Sequence, residues 1–146
     1  MRRSFLANFF AVPLALVAPT LIPKLAVAQD SSKATRVVVQ VSEADPARWN
    51  LVLNNVKNLQ DDLGANNVTL EIVAYGPGIG MLKFDAVTNS RVSEALKSDV
   101  GIQACENTMR NQKLVRADMH PGVGYVPAGV VAIVRRQQEG WAYLRP

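Results

Sequence analysis

Cys105 is the only cysteine in the 146 residues and His120 the only histidine, which narrows the available chemistry at once. A lone cysteine closes no disulfide within the chain, and one cysteine with one histidine gives a zinc site too few soft ligands. Two roles stay open for Cys105. A free thiol becomes a nucleophile where positive charge or unpaired N–H groups favour its anion, and otherwise it packs as a small apolar group. It stands directly before Glu106-Asn107-Thr108-Met109-Arg110, which reads as the opening of a helix, so its sulfur would meet unpaired N–H groups and a positive dipole end. Glu106 opposes the thiolate unless Arg110, one helical turn on, pairs with it. His120, beside Pro121-Gly122, could move a proton near neutral pH or be an ordinary loop residue, and no nucleophile-elbow motif supports a serine triad built on it. The loop Gly76-Pro77-Gly78-Ile79-Gly80 lacks the spacing of a dinucleotide fingerprint and the lysine of a P-loop, leaving a tight connection or one wall of a ligand cleft. Asp61-Asp62 read as a solvated helical face. No metal and no cofactor is expected.

Strands and helices alternate around these residues. Residues 37–41, Val-Val-Val-Gln-Val, form a short β-branched run suited to a strand covered on both faces. Asp45-Pro46 caps and starts a helix whose inward stripe is Trp49, Val52, Leu53, Val56, Leu59 and Leu63, and Gly64 stops it. A strand over 68–75 feeds the glycine loop, and a short helix over 89–98 turns Val92, Ala95 and Leu96 inward. A strand at about 100–104 runs into Cys105, followed by a helix fading near Leu114. A strand at 123–126 precedes a helix at about 128–138 with Val130, Val131 and Val134 inward, and residues 141–144 form a last strand. Such alternation predicts crossover connections and a three-layer, flavodoxin-like α/β fold with a mainly parallel five-stranded sheet. Ligands bind in such sheets beyond the carboxyl ends of the strands. Both the 76–80 loop and Cys105 fall there, so a cleft bounded by Gly76, Pro77 and Gly78 with Asn107 and Thr108 is the candidate binding site.

The first 28 residues read differently from the rest. Arg2-Arg3 precede an apolar stretch from Phe5 to Val17, and Ala26-Val27-Ala28 offers the small residues a signal peptidase cuts after. Pro13, Pro19, Pro23 and Lys24 break up what a membrane anchor would need as a continuous apolar span. Residues 1–28 are therefore expected to be a cleaved signal peptide, 29–35 a flexible lead-in and 36–146 one α/β domain, exported to the periplasm with no stable membrane insertion. Arg2-Arg3-Ser4-Phe5-Leu6 is similar to a twin-arginine signal, with an ordinary Sec signal as the alternative. Losing Arg2, Arg3 and Lys24 from 16 basic residues leaves 13 against 12 acidic ones, a net charge of +1 where the whole chain carries +4. The basic excess lies in the targeting segment, and no basic stripe remains to bind nucleic acid.

Around the cysteine, Gly101-Ile102-Gln103-Ala104-Cys105-Glu106-Asn107-Thr108-Met109 resembles the motif of the DsrE/DsrF-like family, small α/β proteins of sulfur oxidation and sulfur relay. The 37–41 strand, Asn54-Asn55-Val56, Ala74-Tyr75-Gly76-Pro77-Gly78, Val126-Pro127-Ala128-Gly129-Val130 and Gln138-Glu139-Gly140-Trp141-Ala142-Tyr143 resemble the family's pattern in the same order, over residues 36–145. The resemblance implies a homo-oligomer, trimer or hexamer, and a sulfur carrier or sulfurtransferase with Cys105 as its catalytic residue. That cysteine would hold sulfane sulfur as a persulfide and exchange it with a thiol-bearing donor or acceptor protein. The expectation from a different class is an oligomeric binding module of the same fold, without catalysis.

Overall fold

The computed structural model describes residues 35–146; the expected signal peptide, and the lead-in up to residue 34, lie outside them. The first strand, β1 (Thr35–Val41), begins one residue before the expected domain start, with the Thr35 N–H bonded to the Asn67 carbonyl at 2.8 Å. Its Val37, Val38 and Val39 are all buried, as a doubly covered strand requires. Helix α1 (Pro46–Leu63) starts as the residues dictate: Asp45 Oδ1 accepts the Ala47 N–H at 2.9 Å, proline fills the first turn, and Gly64 at φ +86° ends it. Trp49, Val52, Leu53 and Val56 are buried on its sheet side, but Leu63 is exposed, so the inward stripe stops a turn earlier than expected.

After β2 (Val68–Ala74) the glycine loop is a 3-10 segment, Gly76–Leu82, that buries Ile79, Met81 and Leu82. Gly78 presses against the end of β1, where a Cβ would stand 2.4 Å from the Val41 carbonyl oxygen, so only glycine fits. Helix α2 (Asn89–Lys97), β3 (Gly101–Cys105), α3 (Glu106–Asn111), β4 (Gly124–Val126), α4 (Gly129–Gln138) and β5 (Ala142–Leu144) complete the order, with a 3-10 turn at Arg116–Asp118.

The five strands run in the order β4-β3-β2-β1-β5, every pairing parallel. The fold is therefore a three-layer, flavodoxin-like α/β fold with its sheet in the middle. Steps from β1 to β4 all go one way across the sheet, and right-handed crossovers place α1, α2 and α3 on one face. The step from β4 to β5 goes back, which sends α4 to the other. The two cores match this. Val37, Val39, Leu70, Ile72, Ile102 and Ala104 pack with Trp49, Val52 and Val56 on the α1 side, whereas Val38, Val73 and Ile133 make a small cluster under α4.

Helix α4 is turned relative to the expectation. Val130, Val131 and Val134 are 56%, 44% and 47% exposed rather than inward, while Gly129 and Ile133 are buried and Arg136 half-buried. The inward stripe is thus 129, 133 and 136, helical spacing set by what the sheet presents there. Glu71, 6% exposed in the middle of β2, is met by Arg136 through two bonds, Nε to Oε1 at 3.0 Å and a terminal guanidinium nitrogen to Oε2 at 2.6 Å. A buried carboxylate needs such a partner, and the apolar valines yield the inward positions to it.

Candidate functional site

Cys105 is the last residue of β3 and sits immediately before α3, as its position in the sequence suggested. The chain leaves β3 toward the α1 face and leaves the neighbouring β4 toward the α4 face. Two adjacent strands whose exits diverge make the topological switch point of a parallel sheet, the place where ligands bind in such folds. Cys105 pairs with Val126 in the sheet register, so the start of α4 arrives beside it. The Gly129 N–H then donates to Cys105 Sγ at 3.2 Å. A Cβ on residue 129 would meet Tyr75 Cβ at 3.0 Å and Cys105 Cβ at 3.2 Å, so the absence of a side chain is what allows this approach.

The sulfur's surroundings favour its anion. Burial pushes the Cys105 thiol up, but the Thr108 hydroxyl and the N–H groups of Gly129, Thr108 and Asn107 together bring it below the usual thiol value. The Gly129 bond has full hydrogen-bond geometry, while no capping bond closes from α3 itself. The Asn107 N–H is shared, since it also reaches the Pro127 carbonyl at 3.2 Å. Access is narrow, since Cys105 is only 4% exposed.

Of the expected binding residues, the fold brings Gly76 and Thr108 together: Thr108 Oγ1 accepts the Gly76 N–H at 2.9 Å, and Gln112 Nε2 donates to the Gly76 carbonyl at 3.1 Å. Thr108 is thereby held with its hydroxyl proton free for the sulfur. Pro77 is exposed, Gly78 is used in packing on β1, and the Asn107 side chain accepts from Arg110. The expected Glu106–Arg110 pair gives way to another: Arg116, returning after the 3-10 turn, reaches Glu106 at 3.1 Å and lies 4.2 Å over the Tyr125 ring. His120 is buried away from this cluster. Its Nδ1 accepts the Gly122 N–H at 3.1 Å and Nε2 meets Ser93 Oγ at 2.7 Å, so both ring nitrogens are engaged by their own loop and α2. Sequence reasoning about the site missed Gly129; the one visible signal was a glycine opening a helix directly after Pro127-Ala128.

Among the described residues, two clefts stand out on the surface. The larger, about 420 Å³, lies between α1 and α2 and is lined by Lys57, Asp61, Arg91 and Glu94 among others, none of them near the cysteine's strand end. The other, about 310 Å³, runs along α4 and is bounded by Gln103, Val126, Pro127 and Ala128, the immediate neighbours of Cys105 and Gly129. Neither of these two includes residues 76–80. Among the described residues no group of three His, Cys, Asp or Glu side chains gathers as a metal set would.

No family model matches the chain, and no curated protein does. Solved structures do match. BT1422 from Bacteroides thetaiotaomicron is 13% identical over 76% of this chain and 94% of its own, with a TM-score of 0.63. The ychN protein from E. coli is 12% identical over 77% of this chain and 99% of its own, also at 0.63. At these identities the likeness is one of fold. MTH1491 from Methanobacterium thermoautotrophicum is 43% identical, with a TM-score of 0.74 over 77% of this chain and 99% of that one. With its fold, its length of domain and close to half its residues in common, the chain belongs to the family of MTH1491, a protein of unknown function.

Proposed function

We propose that the protein handles sulfane sulfur on Cys105, as a DsrE/DsrF-like carrier or sulfurtransferase acting after export to the periplasm. The observation that carries this reading is the Gly129 N–H held 3.2 Å from Cys105 Sγ at the switch point of the sheet. That donor stabilises charge on sulfur in both the thiolate and the persulfide. The Cys105 thiolate attacks the outer sulfur of a persulfide R–S–SH; a new S–S bond forms, the donor's S–S bond breaks, and R–S⁻ leaves, so no oxidant or reductant is consumed. Reversal toward a partner protein's thiol delivers the sulfur. With one cysteine in the chain, that acceptor has to be another molecule.

The test is intact mass. Incubation with polysulfide should add about 32 Da, one sulfur atom, removable by reductant, and Cys105→Ser should fold and gain nothing. A folded Ser variant that still gains sulfur would end the proposal. The low exposure of Cys105 favours a second reading, an oligomeric binding module in which the thiol only packs. A wild-type chain that takes sulfur from no donor and resists alkylation would select it. We also propose a homo-oligomer, trimer or hexamer, supported by Val130 and Val134, exposed on α4 outside the cleft along that helix. A monomer by light scattering would refute that.

A further inference from the structure

We propose that the cleft along α4 binds a small carboxylate-bearing thiol of short-peptide size and presents its sulfur to Cys105, with Arg135 holding the carboxylate. This rests on the sulfur-carrier reading and names the donor. The cleft is about 310 Å³, at the lower end of what ligand sites occupy and enough for an amino-acid thiol or a short peptide. It starts beside the sulfur. Gln103 lies two residues before Cys105 on the same face of β3, and Ala128 precedes the glycine whose N–H holds Sγ.

Two polar groups in the cleft have no partner among the described residues: the Gln103 amide and the Arg135 guanidinium. Gly124 makes room for the first, since a Cβ there would stand 2.4 Å from Gln103 Oε1, and the amide lies over β4 as a result. The second is the cation left for a ligand, because the cleft's other charges are already spent on each other: Arg136 holds both Glu71 and Glu139. Arg135 is six residues into α4 from Gly129, roughly 9 Å at the helical rise. A peptide thiol whose carboxylate pairs with Arg135 and whose amide meets Gln103 can span that length with its sulfur at the Ala128–Gly129 turn. An inorganic polysulfide, though anionic, has no carboxylate to stand at Arg135 while its sulfur meets Cys105.

The experiment compares two donors, glutathione persulfide and inorganic polysulfide, by the rate at which each loads Cys105. Arg135→Gln should raise the glutathione persulfide concentration needed for half-maximal rate about tenfold, the loss of one charge-assisted contact, and at least ten times more than it disturbs polysulfide loading. Arg135→Lys should recover most of the difference. Equal slowing of both donors, or no slowing of either, overturns the proposal. Calorimetric binding of reduced glutathione, which carries no sulfane sulfur, separates the two readings. Binding that depends on Arg135, in a protein no donor can load, would keep the cleft and end the sulfur reading. Loading by polysulfide without any glutathione binding would do the reverse.

Discussion

The two faces of the sheet are built on different principles. On the α1 side, side chains from β1, β2 and β3 alternate inward as Val37, Val39, Leu70, Ile72, Ala74, Ile102 and Ala104, all buried and apolar, under helices and a 3-10 segment that add Trp49, Ile79, Met81 and Leu82. On the α4 side the same strands present Glu71, Gln103 and Cys105 beside Val38 and Val73, and one ten-residue helix covers them. The apolar side supplies the hydrophobic stabilisation, about 1.5–3 kcal/mol for each large side chain fully buried. That surplus lets the other side hold a buried ion pair and a thiol lowered toward its anion, neither of which would hold a fold together alone. The difference between the faces follows from the strand order, since only the single backward step from β4 to β5 places a helix there.

Removing apolar volume from the α1 side should therefore cost stability and leave the thiol alone. Ile72, fully buried at the centre of the sheet, is the sharpest probe. Ile72→Ala should destabilise the domain by about 4 kcal/mol, read from the urea midpoint. Below the unfolding transition, the alkylation rate of Cys105 should match the wild type. A loss under about 1 kcal/mol would mean that stability is shared evenly between the faces and that the comparison fails.

The ion pair gives the next largest effect. Arg136→Met alone should cost about 3 kcal/mol, because it strands the buried Glu71 carboxylate, and Glu71→Gln should cost less, because half-buried Arg136 keeps Glu139 as a partner. The combined Glu71→Leu/Arg136→Met chain should recover most of the loss, which a purely apolar contact would not do. Two single variants that each lose less than about 0.5 kcal/mol would reduce the pair to a solvated surface contact and the α4 side to an ordinary polar surface.

How far the sequence disclosed these two sides differs for physical reasons. The α1 side was legible because its signals are local: a β-branched run, Asp45-Pro46 to open α1 and Gly64 to close it, all within 28 residues of one another. So was the place of Cys105, since a cysteine between a strand and a helix in a parallel sheet must stand at a carboxyl end. The α4 side depends on strand order and register, which pairing across the chain decides. Val130, Val131 and Val134 looked like a core stripe until Glu71, some sixty residues earlier, claimed the inward face through Arg136. Gly129 looked like a helix start until the Cys105–Val126 register set it against the sulfur. Leu63 shows the same limit on a small scale, because periodicity does not say where the sheet beneath a helix ends.

The smallest expected effect tests whether the strand-to-helix junction at Cys105, where α3 and α4 both reach the sulfur, really tunes the thiol. Thr108 Oγ1 takes the Gly76 N–H and leaves its proton for Cys105, so Thr108→Val removes one of the groups that lower the thiol. The pH profile of alkylation should move upward in the variant, and the rate at neutral pH should fall a few-fold. Stability should respond with a definite sign. A thiol lowered by folding is deprotonated in the native chain while the unfolded chain, at about 8.5, still holds its proton. Between the two values the unfolded state binds more protons, so stability rises with pH there; the contribution is complete above the unfolded value and is lost as pH falls through the folded one. Cys105→Ser should lack that rise, and Thr108→Val should show it over a narrower span. The hydroxyl's loss also strands the Gly76 N–H, so a flat cost at every pH is expected in Thr108→Val beneath the pH-dependent part. If both variants parallel the wild type across that range, Cys105 is not tuned, and the polar face serves packing alone.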